Sequence, residues 1–167
     1  MAVEQINEID ERRTLLLPPD APAERFEPLA GFVDIWRAKR ASGRLPAWRN
    51  FDFYDFVGWH GYVYVDQVVA RDPLEMRCRL WGIELTELLG FDETGKLFSE
   101  SPAAAAPGRL EINSRVVGEG LVCLMSGRAV AWGTHTLFTV VKLPCADDGV
   151  TVDHILGCAW PIHAAGC

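Results

Sequence analysis

Residues 74–96 read LEMRCRLWGIELTELLGFDETGK. Leu74, Met76, Cys78 and Leu80 share one parity, and Glu75, Arg77, Arg79 and Trp81 share the other. Period-two alternation of this kind predicts a strand with one face on a core. Gly82 ends it where a backbone without Cβ bends most easily. Residues 84–89 then form a short helix with Leu85, Leu88 and Leu89 on one side and Gly90 as its stop.

Upstream, residues 62–69 (YVYVDQVV) are rich in β-branched and aromatic residues, and Arg71-Asp72-Pro73 turns them into the strand at 74–81. The pair predicts an early hairpin. Residues 23–41 carry Phe26, Leu29, Val33 and Trp36 at helical spacing, with Phe32 and Ile35 widening the stripe. Arg37, Lys39 and Arg40 suit the helix C-terminus, and Ser42-Gly43 ends it. Such a stripe serves either as core or as a dimerising or docking helix. Residues 50–58 read as a short helix capped by Asn50, turning Phe53 and Phe56 or Val57 inward. Residues 1–20, ending in LLLPPD, read as a mobile arm.

Downstream, a turn-rich crossing leads to residues 109–126, expected to be one long helix. Ile112, Val116, Leu121, Leu124 and Met125 make its apolar face, and Glu111, Arg115 and Glu119 lie opposite. Gly118 and Gly120 would cost it about 1 kcal/mol each relative to Ala, which points to close approach of another element. Residues 129–143 are expected as one long strand, residues 144–149 as a hairpin loop with an Asp-Gly signal, and residues 153–162 as the last strand. Both parities of these strands are partly apolar, so the sheet must be covered on two faces. The intervening helices cover one; the N-terminal helix or a second subunit covers the other. The order predicts an α+β domain on one antiparallel sheet.

The 167 residues are 49% apolar and 23% charged, ordinary for one globular domain. A net charge of −7 argues against a general nucleic-acid surface or an anionic membrane as partner. No apolar run approaches the roughly 18 residues of a membrane span, and the acidic N-terminus has no signal-peptide core. A cytoplasmic location is expected. Cys78, Cys123, Cys145, Cys158 and Cys167 are odd in number and widely spaced, which fits neither a disulfide framework nor a zinc site. Cys78, Cys123 and Cys158 are expected to be small buried hydrophobes.

At roughly residues 33–162 the chain resembles a PAS domain, and within that superfamily a bacterial family of small, mostly stand-alone PAS-like proteins. The resemblance rests on WRAKRASGRLPAWRNFDF (Trp36, Pro46, Asp52), MRCRLWGIELTELLGFDETGK (Arg77, Arg79, Gly82, Gly90, Thr94, Gly95) and the closing TLFTVVKLPCADDGVTVDHILG. Phe53 departs from the pattern, which has a proline after the aspartate. The resemblance implies a five-stranded antiparallel sheet in the order 2-1-5-4-3, with helices over one face enclosing a small cavity. It implies a sensory or regulatory role and no catalysis. The expected arrangement is an arm at 1–22, one domain at 23–163 that includes the helix at 23–41, and a tail at 164–167.

Met76, Cys78 and Leu80 of the early strand, Val117, Leu121 and Leu124 of the long helix, and Trp132, His135 and Leu137 of the late strand are the candidates to line that cavity. Arg79 is the candidate polar anchor, for a ligand carboxylate or for Asp92 or Glu93; the alternative is a solvated strand edge. Phe26, Leu29, Val33, Trp36, Phe138 and Val140 are candidates for a dimer or docking face. His60, His135, His154 and His163 show no metal-ligand spacing. No motif supports haem or flavin: Cys78 sits on a strand, whereas light-oxygen-voltage photoreceptors place their reactive cysteine in a helical N-C-R-F-L-Q segment. The cofactor is left unassigned. The expectation is a homodimeric sensor of a small, largely apolar ligand, signalling through a separate protein. The competing expectation is a hot-dog-type thioesterase with Glu119 as base.

Overall fold

The computed structural model describes residues 14–162. The start of the expected arm, His163 and the tail with Cys167 lie outside the described residues. The elements are β1 (Leu15–Leu17), α1 (Ala30–Ala38), β2 (Val63–Arg71), β3 (Leu74–Trp81), α2 (Ile83–Leu89), α3 (Arg109–Glu119), β4 (Val122–Ala131), β5 (Thr134–Cys145) and β6 (His154–Ile162), with short 3-10 turns between them. The strands form one antiparallel sheet in the order β1-β4-β5-β6-β2-β3. Numbered from β2, the last five follow the order 2-1-5-4-3. The sheet nevertheless has six strands, not five: Leu15–Leu17, inside the segment expected to be an arm, pairs with Val122–Leu124.

The long helix expected at 109–126 stops at Glu119. Gly120, at φ 65°, is its left-handed cap rather than a mid-helix glycine. The apolar run after it is strand β4, apolar on both parities because both its faces are covered. Residues 129–143 are correspondingly two strands. Trp132 and Gly133, at φ 55° and 75°, make the two-residue turn between β4 and β5, a geometry that matches the twist of its flanking strands. The N-terminal helix is shorter than expected, a 3-10 turn at Ala23–Phe26 followed by α1. Near residue 50 the cap is Asp52, whose carboxylate accepts from the backbone of Tyr54 and Asp55 while Asp55 returns the bond to Asp52 N–H. Phe56 turns inward; Phe53 and Val57 are exposed.

Alternation sorts the sheet into two covered faces. On the outer face Val63, Val65, Val122, Leu124, Val141, Leu143, Leu156 and Cys158 pack under Phe26, Leu29, Phe32, Val33, Trp36 and Phe56. The four stripe residues proposed for docking therefore bury against this chain's own sheet. On the inner face Tyr64, Met76, Cys123, Met125, Val140, Ile155 and Ala159 meet Leu85, Val116 and Val117 from α2 and α3. Cys78, Cys123, Cys145 and Cys158 are free and buried. Among the described residues no helix is long and apolar enough to cross a membrane.

One irregularity decides what faces inward. Val65 pairs with Leu80 but Asp66 pairs with Cys78, so Arg79 is the extra residue of a β-bulge. The bulge breaks the parity of residues 74–81. Trp81 swings onto the same side as Cys78, and Leu80 turns outward, 38% exposed. Beyond β3 the chain returns along its free edge: Cys78 N–H donates to Lys96 O, and Gly95 N–H donates to Cys78 O. That return covers an otherwise unpaired edge and carries Glu93 back over the sheet.

Candidate functional site

Between the inner face and the segment running from α2 to α3 lies a cavity of about 370 Å³. Its floor is Tyr64 and Asp66 of β2, Cys78 and Trp81 of β3, Met125 and Ala129 of β4, Phe138, Val140 and Lys142 of β5, and Ala159 of β6. Its roof is Leu85 and Leu89 of α2, Phe91, Glu93, Phe98 and Ser101 of the crossing, and Arg109 at the start of α3. Lys96, Pro102 and Val130 are exposed and mark its rim.

The space exists because two rings lie flat. Tyr64 is registered opposite Gly157, and Phe138 opposite Gly127. A Cβ on Gly127 would come 2.6 Å from Phe138 Cζ, and one on Gly157 would fall inside the Tyr64 ring. Cross-strand pairs of aromatic and glycine let a ring cover bare backbone instead of standing up from the sheet. Trp81 is then held at the wall, its indole N–H donating to Thr86 Oγ1 at 3.2 Å and its ring stacked on Phe91 at 5.9 Å.

The polar groups in this apolar shell are unusual. Burial pushes the Asp66 carboxyl up to about 6; the Lys142 charge opposes that and the Glu93 charge adds to it. Burial holds the Lys142 ammonium below its ordinary value, against the pull of Asp66. Lys142 Nζ sits 5.7 Å from the centroid of the Tyr64 ring. Glu93 is only 6% exposed, and its Oε1 has no hydrogen-bond partner. Arg109 Nη1 donates to Met125 Sδ at 2.7 Å. Cys78, pushed up to about 12 by burial, is a protonated wall residue and no nucleophile.

The raised Asp66 carboxyl sets a pH dependence. Folded protein keeps this proton to about pH 6, whereas the unfolded chain releases it near the ordinary value of 3.8. The folded state therefore binds more protons between those limits, so this group's contribution to stability falls as pH rises from 4 to 6. The loss is on the order of 3 kcal/mol. Asp66→Asn is expected to remove that slope and to stabilise the protein at pH 7.5 by about 1–2 kcal/mol, less than the full amount because Lys142 loses a counter-charge. Urea unfolding across pH 4–8 checks this; a variant with an unchanged slope would count against the assignment.

Of the residues expected to line the cavity, Cys78 does. Met76 and Val117 belong to the inner core beside it, and Leu124 lies on the outer face. Leu121 precedes β4 and is half-buried outside the lining. Leu80 faces outward at the bulge. Trp132, 72% exposed, occupies the β4–β5 turn, where its indole donates to Glu87 O at 3.1 Å. His135 and Leu137 share the outward parity of Val141, while Phe138 and Val140, expected on a docking face, line the cavity. Arg79 is exposed and donates to Gln67 Oε1 at 2.6 Å, away from Asp92 and Glu93. The expected apolar cavity instead contains Asp66, Glu93, Arg109, Arg128 and Lys142. None of these five was expected to line the cavity, Glu93 being named only as a partner for Arg79, although an Asp and a Lys inside strands covered on both faces were the available signal.

Glu119 lies at the end of α3 on the surface, bonded to Arg115 at 2.6 Å, which holds its carboxyl below the ordinary range. It does not face the cavity. Among the described residues no group of three His, Cys, Asp or Glu side chains is placed to hold a metal ion.

No protein-family model matches the chain, and no curated protein matches it. Among solved structures, one that is similar is described as an RNA-binding light-oxygen-voltage receptor, at 15% identity and a TM-score of 0.49. The match covers 89% of this chain and 38% of that one.

Proposed function

We propose that the chain is a PAS-type sensory or regulatory module, which encloses a small molecule between its sheet and the α2–α3 segment and signals through a separate protein. The observation that carries this reading is the cavity itself, floored by two flattened rings and holding a buried carboxylate oxygen with no partner. A buried acceptor left unsatisfied costs about 1–3 kcal/mol, more when charged. A bound molecule that donates to it recovers that loss. The volume lies at the low end of small-molecule sites, roughly 300–1,000 Å³.

Native mass spectrometry of freshly purified protein, paired with its ultraviolet–visible spectrum, tests this. The expected result is an added mass that leaves on denaturation. A fraction of small metabolites supplied at a hundred times its Kd should raise Tm by roughly 5–10 °C. A chain that carries no added mass, and whose Tm no metabolite fraction moves, would overturn the reading.

A further inference from the structure

The cavity's charges are sorted across the sheet. The acids stand at the β2–β3 end: Asp66 on β2, with Glu93 close enough to raise its carboxyl. The bases stand at the β4–β5 end: Lys142 on β5, Arg109 against Met125 of β4, and Arg128 on β4 itself. Lys96, exposed at the rim, is the exception. Lys142 is registered opposite Gly157 of β6, which is opposite Tyr64 of β2, two residues before Asp66. Two interstrand steps and one two-residue step along β2 separate the Cα atoms of Lys142 and Asp66 by roughly 10–12 Å. Between them lies the flat ring of Tyr64, with Trp81 beside it at 6.0 Å; Phe138 lies four residues along β5 from Lys142, its ring over Gly127.

The bland explanation is a buried ion pair that merely holds the fold together. It does not account for the geometry. Asp66 and Lys142 feel each other's charge, yet among the described residues no ion pair joins them, and Glu93 Oε1 is left without a donor. Asp66 and Lys142 are half-buried and Glu93 is buried, and charges drawn from bulk water that do not pair with each other are tolerated where another charge pairs with both.

We infer that the cavity takes a small aromatic zwitterion whose charges lie at opposite ends: an N–H-bearing cation between Asp66 and Glu93, and a carboxylate against Lys142 and Arg109. The ring between them stacks on Tyr64. This rests on the sensory reading above and names its ligand class. An α-amino acid, with both charges on one carbon, fits less well than a molecule whose ammonium and carboxylate sit on opposite sides of a ring.

The test is calorimetric titration of the full chain with para-(aminomethyl)benzoate, benzylamine, benzoate and toluene. The zwitterion is expected to bind roughly ten- to hundred-fold more tightly than either singly charged probe, since each carries one charge-assisted contact fewer. Glu93→Gln should reduce zwitterion affinity by about ten-fold and leave benzoate unchanged. Lys142→Met should reduce it similarly and leave benzylamine unchanged. That crossed pattern separates a lost contact from a misfolded variant, which would lose every probe. Toluene binding as tightly as the zwitterion would overturn the bipolar ligand while leaving the sensory reading intact. Failure of all four probes, in protein that still carries a retained small molecule by native mass spectrometry, would overturn it equally. Absence of any retained molecule, together with a Tm that no metabolite fraction moves, is the separate result that removes the sensory reading.

Discussion

Gly157→Ala is expected to destabilise the protein by about 3 kcal/mol or more, a large effect for one added methyl group. The reason is local. Gly157 sits in β6 directly opposite Tyr64, and the added Cβ would occupy the space of the phenol ring. Tyr64 is only 7% exposed and its neighbours are the sheet and the cavity wall, so its one escape is upward into the cavity. There it would lose its cross-strand contact and crowd Lys142 and Trp81. Tyr64→Ala in the same chain should restore part of the loss, because the clash disappears with the ring. Urea unfolding of both single variants and the double variant measures the coupling. Additive effects, or a Gly157→Ala cost below about 1 kcal/mol, would mean the ring does not lie where its position opposite glycine puts it. Ligand uptake should fall with the single variant and not fully return with the double, since the floor then lacks its ring.

This dependence on one glycine bears on what the sequence could reveal. The early hairpin was legible because its strands alternate and a Pro-containing turn separates them. The short helix after Gly82 was legible from three leucines and a glycine stop, and Gly90 does cap it in the left-handed conformation. The stretch from Leu121 to Met125 was not. A short apolar run reads equally as the end of a helix or as a strand buried on both sides, and periodicity cannot decide between them. Gly120 was the available signal, a helix cap mistaken for an interior glycine. The β4–β5 turn hid behind its first residue: a tryptophan at positive φ is uncommon, and Asn-Gly would have announced the same turn plainly.

The site was harder to read than the fold, for related reasons. Which parity of β5 faces the cavity follows from its register with β4 and β6, and apolar residues on both parities conceal that register. Once β5 is paired, Phe138, Val140 and Lys142 face inward together. The bulge at Arg79 is equally invisible to alternation, because alternation assumes no extra residue. Glu93 reaches the cavity only through the return of residues 95–97 along β3, a long-range contact with no local signature. Charges in strands covered on both faces, the half-buried Asp66 and Lys142, would have been the better guide than apolar stripes. An apolar stripe marks where a core is, and a charge inside it marks where something else must come.

Trp36→Ala carries the other large expectation, a loss of about 4–5 kcal/mol. Trp36 has no exposed surface, and its indole N–H donates to Pro144 O at 3.0 Å. Truncation leaves a cavity on the outer face and orphans a carbonyl of β5, the strand that carries Lys142 on its other side. Trp36→Phe, which keeps most of the apolar volume and loses the hydrogen bond, should cost roughly 1–3 kcal/mol. A domain of ordinary stability, about 5–15 kcal/mol, would be left marginal by the first substitution and folded by the second. Denaturant midpoints at constant slope, with the mass measured by light scattering, separate this from a docking role for the same helix. If α1 served chiefly to bind another chain, Trp36→Ala would leave the midpoint nearly unmoved and reduce the oligomeric mass instead. Because the outer core and the cavity floor are opposite faces of the same strands, the stability expectation also carries a functional one. Trp36→Phe should weaken zwitterion binding by less than the Glu93 and Lys142 substitutions do, since it loosens the strand without removing a charge the ligand meets.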